Sequence, residues 1–159
     1  ILVPLDGSLR AEAVLPTVIR IAQAQREAGG APARIILAHV TPGVEIVGGA
    51  DTEVSALGQQ VNEVNAARAR AALEVLRAQL VNNGIDTQLV VESGPDVRQR
   101  LQELPAELDA DLVVMSAHGS RGIETACGSV ASYMASRATR PTLVVRGEAR
   151  VRRAAGNAH

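Results

Sequence analysis

Five short and nearly unbroken runs of apolar residues constrain the fold of this chain more than any other feature. A strand with apolar side chains on both faces is buried on both sides, which is typical of a parallel sheet covered by helices. Between these runs, apolar residues recur at the spacing of an α-helix. The sequence therefore predicts an α/β fold in which strands and helices alternate. The predicted strands are Ile1–Asp6, Arg34–Thr41, Asp86–Glu92, Asp111–Ser116 and Thr142–Arg146.

The helices between these runs are marked by apolar residues three and four positions apart. The first stripe covers Ala11–Ala22, and we expect Pro16 to kink or loosen it because proline breaks the hydrogen-bond ladder of a helix. Further stripes predict helices over Val61–Val81, over Val97–Leu108 and around Val130–Met134.

Two segments carry no clear period. Val44–Gln60 is rich in glycine and predicts a long surface loop. Residues 1–147, this loop included, are predicted to form a single domain, and residues 148–159 form an Arg- and Ala-rich tail that we expect to fray. Pro4 interrupts the first strand and argues against ladder pairing at that position.

The composition excludes several classes of function. The 16 basic residues are all arginine, which excludes a Schiff-base enzyme and a Walker P-loop because both need a lysine. Tyr133 is the one aromatic residue, so stacking on single-stranded nucleic acid is excluded. The net charge of -1 predicts no nucleic-acid or membrane partner. The three histidines show no metal-ligand spacing, so no structural metal is expected.

The single Cys127 allows no internal disulfide and favours a cytoplasmic setting. We find no signal peptide and no apolar run long enough to span a bilayer. Because Ile1 already lies inside an apolar run, the chain is expected to be either trimmed or one piece of a longer protein.

The stretch Leu112–Ser129, which reads LVVMSAHGSRGIETACGS, predicts a buried strand that leads through a glycine-rich loop to the start of a helix. Gly119 and Gly122 would let the backbone approach a ligand closely. Gly128 and Ser129 open the helical pattern, where free N–H groups favour an anion. Such a loop is suited to holding a phosphate.

Ligands of open parallel sheets bind beyond the carboxyl ends of the strands, where the winding direction reverses. If the first and fourth strands are neighbours, Asp6 faces the loop that begins at Ser116. Asp6 could accept hydrogen bonds from a ribose hydroxyl or an adenine amine, while Leu5 and Val40 pack on the base. The alternative is that Asp6 only forms a turn and a helix start with the next two residues.

Other polar residues of the loop also have two interpretations. Arg121 adds a mobile cation for phosphate oxygens. His118 is either a catalytic base or, as we favour, a turn histidine bonded to nearby backbone. Neither Ser116 nor Ser129 lies in a motif such as G-x-S-x-G, so no catalytic nucleophile is predicted.

Taken together, these segments resemble the universal stress protein family over about residues 1–146. The similar segments are ILVPLDGS, IILAHVTP, VVESGPDV, ADLVVMSAHGSRGI, CGSVASYM and RPTLVVR. The resemblance implies an open five-stranded parallel sheet of order 3-2-1-4-5 with helices on both faces, an adenine nucleotide alpha hydrolase-like fold. It also implies a homodimer formed through the strand Thr142–Arg146.

The resemblance implies binding of ATP or AMP, with or without Mg²⁺, in stress response or signalling. Asp6 would contact the adenosine part, and Gly128, Ser129 and Val130 would hold the phosphates. The full set of implied nucleotide-binding residues is Pro4, Leu5, Asp6, Val40, Met115, Ser116, His118, Gly119, Arg121, Gly122, Gly128, Ser129 and Val130.

The chain departs from the family pattern in two places. Ser116 stands where the pattern has its first glycine, and the eight residues between Gly119 and Gly128 are one fewer than the pattern has. The main hypothesis is therefore an adenine-nucleotide-binding module, and the alternative is a dimeric interaction module that has lost the nucleotide. An enzyme is the less favoured hypothesis, and at most it would be a slow ATPase.

Overall fold

The computed structural model describes residues 1–43, 52–117 and 127–146, with the backbone alone for 52–55. In these ranges the strands are β1 (Leu2–Pro4), β2 (Ile35–Pro42), β3 (Thr87–Gly94), β4 (Val113–Ser116) and β5 (Thr142–Val145). The helices are α1 (Leu9–Glu12), α2 (Leu15–Glu27), α3 (Thr52–Asn82), α4 (Val97–Glu107) and α5 (Ser129–Ser136).

The five strands form one parallel sheet in the order β3-β2-β1-β4-β5. The predicted fold class and strand order are therefore confirmed. β2 and β3 share the longest ladder, from Ile35 opposite Thr87 to Pro42 opposite Gly94. β2 and β3 both extend further toward the carboxyl edge than their apolar runs predicted, because backbone pairing continues past Thr41 and Glu92.

Two apolar cores lie on opposite faces of the sheet, as alternation along the strands requires. On β1, Val3 packs into the core beneath α1, α2 and α3, whereas Leu2 packs into the core beneath α4 and α5. Leu104 of α4 is fully buried in the second core together with Met134 of α5. Helices therefore cover both faces of the sheet.

Pro4 limits the pairing between β1 and β4. The Leu2 N–H donates to the Leu112 carbonyl on the β4 side, and the Leu5 N–H donates to the Ala38 carbonyl on the β2 side, both at 2.8 Å. Because successive N–H groups of a strand point to opposite sides, the nitrogen of Pro4 faces β4 and has no hydrogen to donate. The described register of β1 with β4 consists of the pair Leu2 and Val113. Pro4 stands opposite Ala38 in the ladder with β2, so the expected gap in pairing is present on the β4 side and not on the β2 side.

Pro16 lies in the first turn of α2, where its missing N–H costs no helical hydrogen bond. The predicted helix over Ala11–Ala22 is accordingly two helices, with α1 ending at Glu12 and α2 starting at Leu15. The prediction that Pro16 loosens this helix agrees with the end of α1 at Glu12 and the new start of α2 at Leu15, directly before the proline.

The prediction of a loop over Val44–Gln60 is wrong for residues 52–60, which belong to α3. The large apolar side chain described in this part, Leu57, is exposed, so no buried apolar stripe marks it as a helix. Residues 44–51 and the predicted tail 148–159 lie outside the described residues. None of the helices in the described ranges combines the length and apolar character that a bilayer crossing requires.

Candidate functional site

The winding direction of the sheet reverses between β1 and β4. β1 connects to β2 on one side, while β4 and β5 continue the sheet on the other. The carboxyl ends of two such strands border a crevice, since their following connections lead to opposite faces. The expectation that the first and fourth strands are neighbours is therefore confirmed. Asp6 follows the end of β1, and Ser116 is the last residue of the adjacent strand β4.

The turn after β1 is built by its own polar side chains. Asp6 Oδ1 accepts hydrogen bonds from the Ser8 N–H at 3.0 Å and from the Ser8 hydroxyl at 2.6 Å. Ser8 Oγ in turn accepts from the Ala11 N–H at 3.1 Å and caps α1. Gly7 between them has a φ of +78°, a conformation that favours glycine. Asp6 therefore forms the turn that the sequence left as one alternative, and it remains solvent-exposed at the edge of the crevice.

The end of β4 is held in register with β5 and with the start of α5. Met115 is buried in the core beneath α4 and α5, and Ser116, which is half-buried, lies opposite Val145. The Ala117 N–H donates to the Val145 carbonyl at 2.8 Å. The Ala117 carbonyl accepts from the Gly128 N–H at 2.7 Å. This last bond fixes the N-terminus of α5 next to the end of β4.

The first turn of α5 presents backbone donors without a side-chain cap. Gly128 is the N-cap residue and has no side chain to accept a hydrogen bond. The first bond back to the cap is from the Ser132 N–H to the Gly128 carbonyl at 2.9 Å. The N–H groups of Ser129, Val130 and Ala131 precede it and have no intrahelical acceptor. Together with the helix dipole, they make the end of this helix attractive to an anion.

The start of α4 shows the opposite arrangement at the same edge of the sheet. Its N-cap residue, Asp96, accepts from the Arg98 N–H at 2.9 Å and from the Gln99 N–H at 3.3 Å. These backbone bonds, with Gln99 contributing most, hold the pKa of the Asp96 carboxyl below its usual value. The donors of α4 are thus used by the protein itself, whereas those of α5 have no side-chain cap among the described residues.

Three predicted site residues are buried beside the crevice. Pro4 and Leu5 lie at the end of β1, with Leu5 packed into the core beneath α1, α2 and α3. Val40 lies near the end of β2 and packs into the other core. Of the three residues predicted to hold the phosphates, Ser129 is exposed, and Gly128 and Val130 are half-buried. The structure thus brings the residues of β1 and β2 and the start of α5 to one edge of the sheet.

Four predicted site residues, His118, Gly119, Arg121 and Gly122, lie outside the described residues. Sequence reasoning overlooked Ala117, whose carbonyl anchors Gly128. An alanine carries no chemical signal in a sequence, and its role here depends only on its backbone. The anchoring became predictable only once β4, β5 and α5 were placed in space.

The comparisons with known proteins agree with this geometry. A model of the universal stress protein family matches residues 1–146. The chain is similar to the universal stress protein UspA from Lactobacillus plantarum, with 19% identity, a TM-score of 0.75, and coverage of 91% of this chain and 95% of that one. A comparison with curated proteins found no match.

Two further solved structures of similar fold hold nucleotides. One is a universal stress protein family protein from Arabidopsis thaliana with AMP bound, with 16% identity, a TM-score of 0.61, and coverage of 92% and 90% of the two chains. The other is a universal stress protein in complex with cAMP, with 22% identity, a TM-score of 0.58, and coverage of 91% and 94%. The family match over residues 1–146, carried by the fold described above, shows that this chain belongs to the universal stress protein family.

Proposed function

We propose that the chain binds an adenine nucleotide in the crevice between the carboxyl ends of β1 and β4. The observation that carries this proposal is the uncapped N-terminus of α5, which the bond from Gly128 N–H to the Ala117 carbonyl fixes beside β4. The first-turn N–H groups, which have no intrahelical acceptor, are suitable donors for phosphate oxygens. In this arrangement Gly128, Ser129 and Val130 hold the phosphate.

The adenosine part then extends toward β1 and β2. Asp6 is exposed at the end of β1, in position to accept hydrogen bonds from the sugar or the base. Pro4, Leu5 and Val40 supply the apolar wall behind it. Because Pro4 removes a donor on the β4 side, the ladder stops before the crevice and leaves room between the strand ends.

The nucleotide complexes of the two similar proteins support an adenine nucleotide as the ligand class. Because α5 supplies a single turn of free donors, we propose AMP as well as ATP as ligands. Mg²⁺ would accompany the triphosphate. The module acts in stress response or signalling through its nucleotide-bound state.

The alternative function is a dimeric interaction module without a nucleotide. Ser116, which stands in place of a glycine at the end of β4, favours this alternative because its side chain adds bulk at the crevice. The two functions make opposite predictions for the purified protein.

The test is an analysis of small molecules released from heat-denatured, freshly purified protein by chromatography and mass spectrometry. We expect an adenine nucleotide from the unmodified chain and less from a Gly128→Asp variant purified in parallel. If neither protein releases a nucleotide and neither binds AMP or ATP at millimolar concentration, the nucleotide proposal is wrong and the alternative stands.

We also propose a homodimer through β5. β5 pairs with β4 on one side and forms the edge of the sheet on the other. Its Leu143 is 39% exposed, and an open edge strand with apolar side chains is a template for pairing with another copy.

We expect Leu143→Glu to break this interface and halve the mass of the assembly, because two strands related by a twofold axis would bring the added charges close together. Light scattering coupled to gel filtration measures the mass. Leu9→Glu is the matched control, since Leu9 is exposed and lies on α1. A mass that stays at the wild-type value in Leu143→Glu contradicts the proposed interface.

A further inference from the structure

Exposed apolar side chains are concentrated on one stripe of α3. In the described part of the chain, seven large apolar side chains are exposed and five of them lie on this helix, four on the stripe at positions 57, 61, 64 and 75 and the fifth, Val81, off it. Leu57 is 54% exposed, Val61 37%, Val64 46% and Val75 60%. Exposed apolar residues scattered singly are ordinary, but a contiguous row marks an interaction site.

The spacing of this row is that of a coiled coil. Steps of four and three residues from Leu57 lead in turn to Val61, Val64, Arg68, Ala71, Val75 and Ala78, all of them exposed. These are alternate d and a positions of a heptad repeat sustained over about three heptads. We call this row the α3 seam.

The α3 seam is separate from the face that α3 buries. Leu73, Leu76 and Leu80 are buried in the core beneath α1, α2 and α3. At 100° per residue, that stripe lies about 130° around the helix from the seam. The seam therefore makes no contribution to the core that explains its apolar character.

The surroundings of the seam indicate what kind of partner it fits. The charged residues of α3 between Leu57 and Ala78 have both signs, so neither a strongly acidic nor a strongly basic partner matches this stretch; they are Glu63, Arg68, Arg70, Glu74 and Arg77. A lipid surface is also disfavoured, because helices that bind membranes commonly carry aromatic side chains on their apolar face, and α3 has no aromatic residue. A second helix with the same heptad spacing fits the seam, and another copy of the chain supplies one.

We infer that the α3 seams of two copies of this chain pack together as an antiparallel helix pair. Antiparallel packing places Leu57 opposite Val75 and Val61 opposite Ala71. It also places Arg68 opposite Val64, whereas parallel packing in register would bring the two Arg68 guanidinium groups face to face. A single polar residue in a seam commonly sets orientation in this way.

This interface is distinct from the proposed β5 dimer and does not depend on nucleotide binding. A protein with two different twofold interfaces forms a closed tetramer when the two axes allow closure, and a longer assembly when they do not. With the α3 interface alone, the protein forms a dimer. In either case, disrupting the seam halves the mass of the assembly or reduces it to the β5 dimer.

Disulfide trapping tests the pairing and its direction. In a Cys127→Ser background, which removes the single native cysteine, the double variant Val61→Cys/Ala71→Cys is oxidised at micromolar concentration. The two sites of one chain are ten residues apart, or about 15 Å along the helix, which is beyond disulfide reach. A covalent dimer on a denaturing gel is the expected result.

Two matched variants make this result specific. Glu63→Cys/Arg70→Cys places two exposed thiols on α3 away from the seam and should remain uncrosslinked. Val61→Cys alone should also remain uncrosslinked, because the antiparallel pair keeps the two Val61 positions apart. Crosslinking of the single variant, equal crosslinking of the off-seam variant, or none in the double variant overturns the inference.

A second measurement does not rely on cysteine chemistry. Val64→Glu introduces a charge in the seam, and Val81→Glu introduces the same charge at another exposed valine of α3 that lies off the seam. We expect light scattering to show at least a twofold lower mass for Val64→Glu and the wild-type mass for Val81→Glu. Circular dichroism checks that both variants keep their helices. An unchanged mass for Val64→Glu overturns the α3 interface and leaves the β5 dimer untouched.

Discussion

The substitution Gly128→Asp gives α5 the same N-cap residue type that α4 has in Asp96. It should change the stability of the protein and its affinity for a nucleotide in opposite directions. Gly128 has φ -65° and ψ 161°, an extended conformation that an L-residue adopts without strain. An aspartate there would accept hydrogen bonds from the first-turn N–H groups, as Asp96 does in α4. Because such bonds lower the pKa of a capping carboxyl, it would be charged at neutral pH.

The expected effect on stability is a small gain. Replacing an N-cap glycine by aspartate adds a few tenths of a kcal/mol for the cap. The carboxylate adds about 0.3–1 kcal/mol from the helix dipole. For a domain of this size, a gain of about 1 kcal/mol corresponds to a rise in Tm of about 2–4 °C, which thermal unfolding by circular dichroism resolves.

The expected effect on nucleotide binding is a loss. The carboxylate occupies the donors that the phosphate would use and places two negative charges within about 5 Å of each other. Their repulsion amounts to about 0.8 kcal/mol in water and about 3 kcal/mol at an effective dielectric constant of 20. We therefore expect AMP to bind at least about tenfold more weakly, which corresponds to 1.4 kcal/mol. Adenosine, which lacks the phosphate, should bind as it does to the wild type.

Gly128→Asn is the matched control because it fills the same cap without the charge. It should raise Tm less than the aspartate does and weaken AMP less. Calorimetric titration of the three proteins with AMP and with adenosine gives the full comparison. An aspartate variant with a higher Tm and unchanged AMP affinity would refute the assignment of the phosphate to the start of α5.

Two further predictions concern stability. Leu104→Ala should lower the free energy of unfolding in urea by about 2–5 kcal/mol, because Leu104 is fully buried in the core beneath α4 and α5. Leu9→Ala, at an exposed position of α1, should change it by less than about 0.5 kcal/mol. Equal effects would contradict the described core. Arg100→Gln should destabilise most at neutral pH, since Arg100 bonds Glu92 and Glu107 at 2.6 Å and Glu103 at 3.2 Å. The hydrogen bonds from Arg100 hold the pKa of the Glu107 carboxyl below its usual value of 4.5. The stabilisation by this ion pair is therefore fully present above pH 4.5 and is lost as the pH falls through the lowered pKa of Glu107. The difference in urea midpoint between wild type and variant should therefore shrink toward pH 3, and a pH-independent difference would contradict the ion-pair explanation.

The sheet was predictable because its strands are buried on both faces. Their continuous apolar runs indicated parallel strands, and the ends of those runs located Asp6 and Ser116 at one edge. Backbone pairing moved the boundaries, so that β2 includes Pro42 and β1 is shorter than its run.

The first half of α3 was not predictable by the same reasoning. A periodic stripe indicates a helix only when one face is buried, and the apolar residues of this segment face outward along the α3 seam. Glycines before and within the segment, among them Gly58, favoured a loop. The exposed apolar face of α3 thus explains both why this segment resembles a loop in the sequence and why it is suited to pairing with another helix.

The candidate site was predictable at the level of strand ends and helix start, but not in its backbone details. Gly128 and Ser129 were recognised from their place before a helical pattern. The anchor that fixes them, the Ala117 carbonyl, is a backbone atom whose position depends on β4 and β5. The two roles weighed for Asp6 are compatible, since one carboxylate oxygen forms the turn while the residue remains exposed at the crevice.

The most direct test of nucleotide binding is a calorimetric titration of nucleotide-free protein with AMP, repeated at two temperatures. Binding at the start of α5 predicts saturable binding of one AMP per chain, with adenosine binding more weakly because it lacks the phosphate. The absence of binding at millimolar AMP at both temperatures, or equal affinities for AMP and adenosine, would contradict the proposed site.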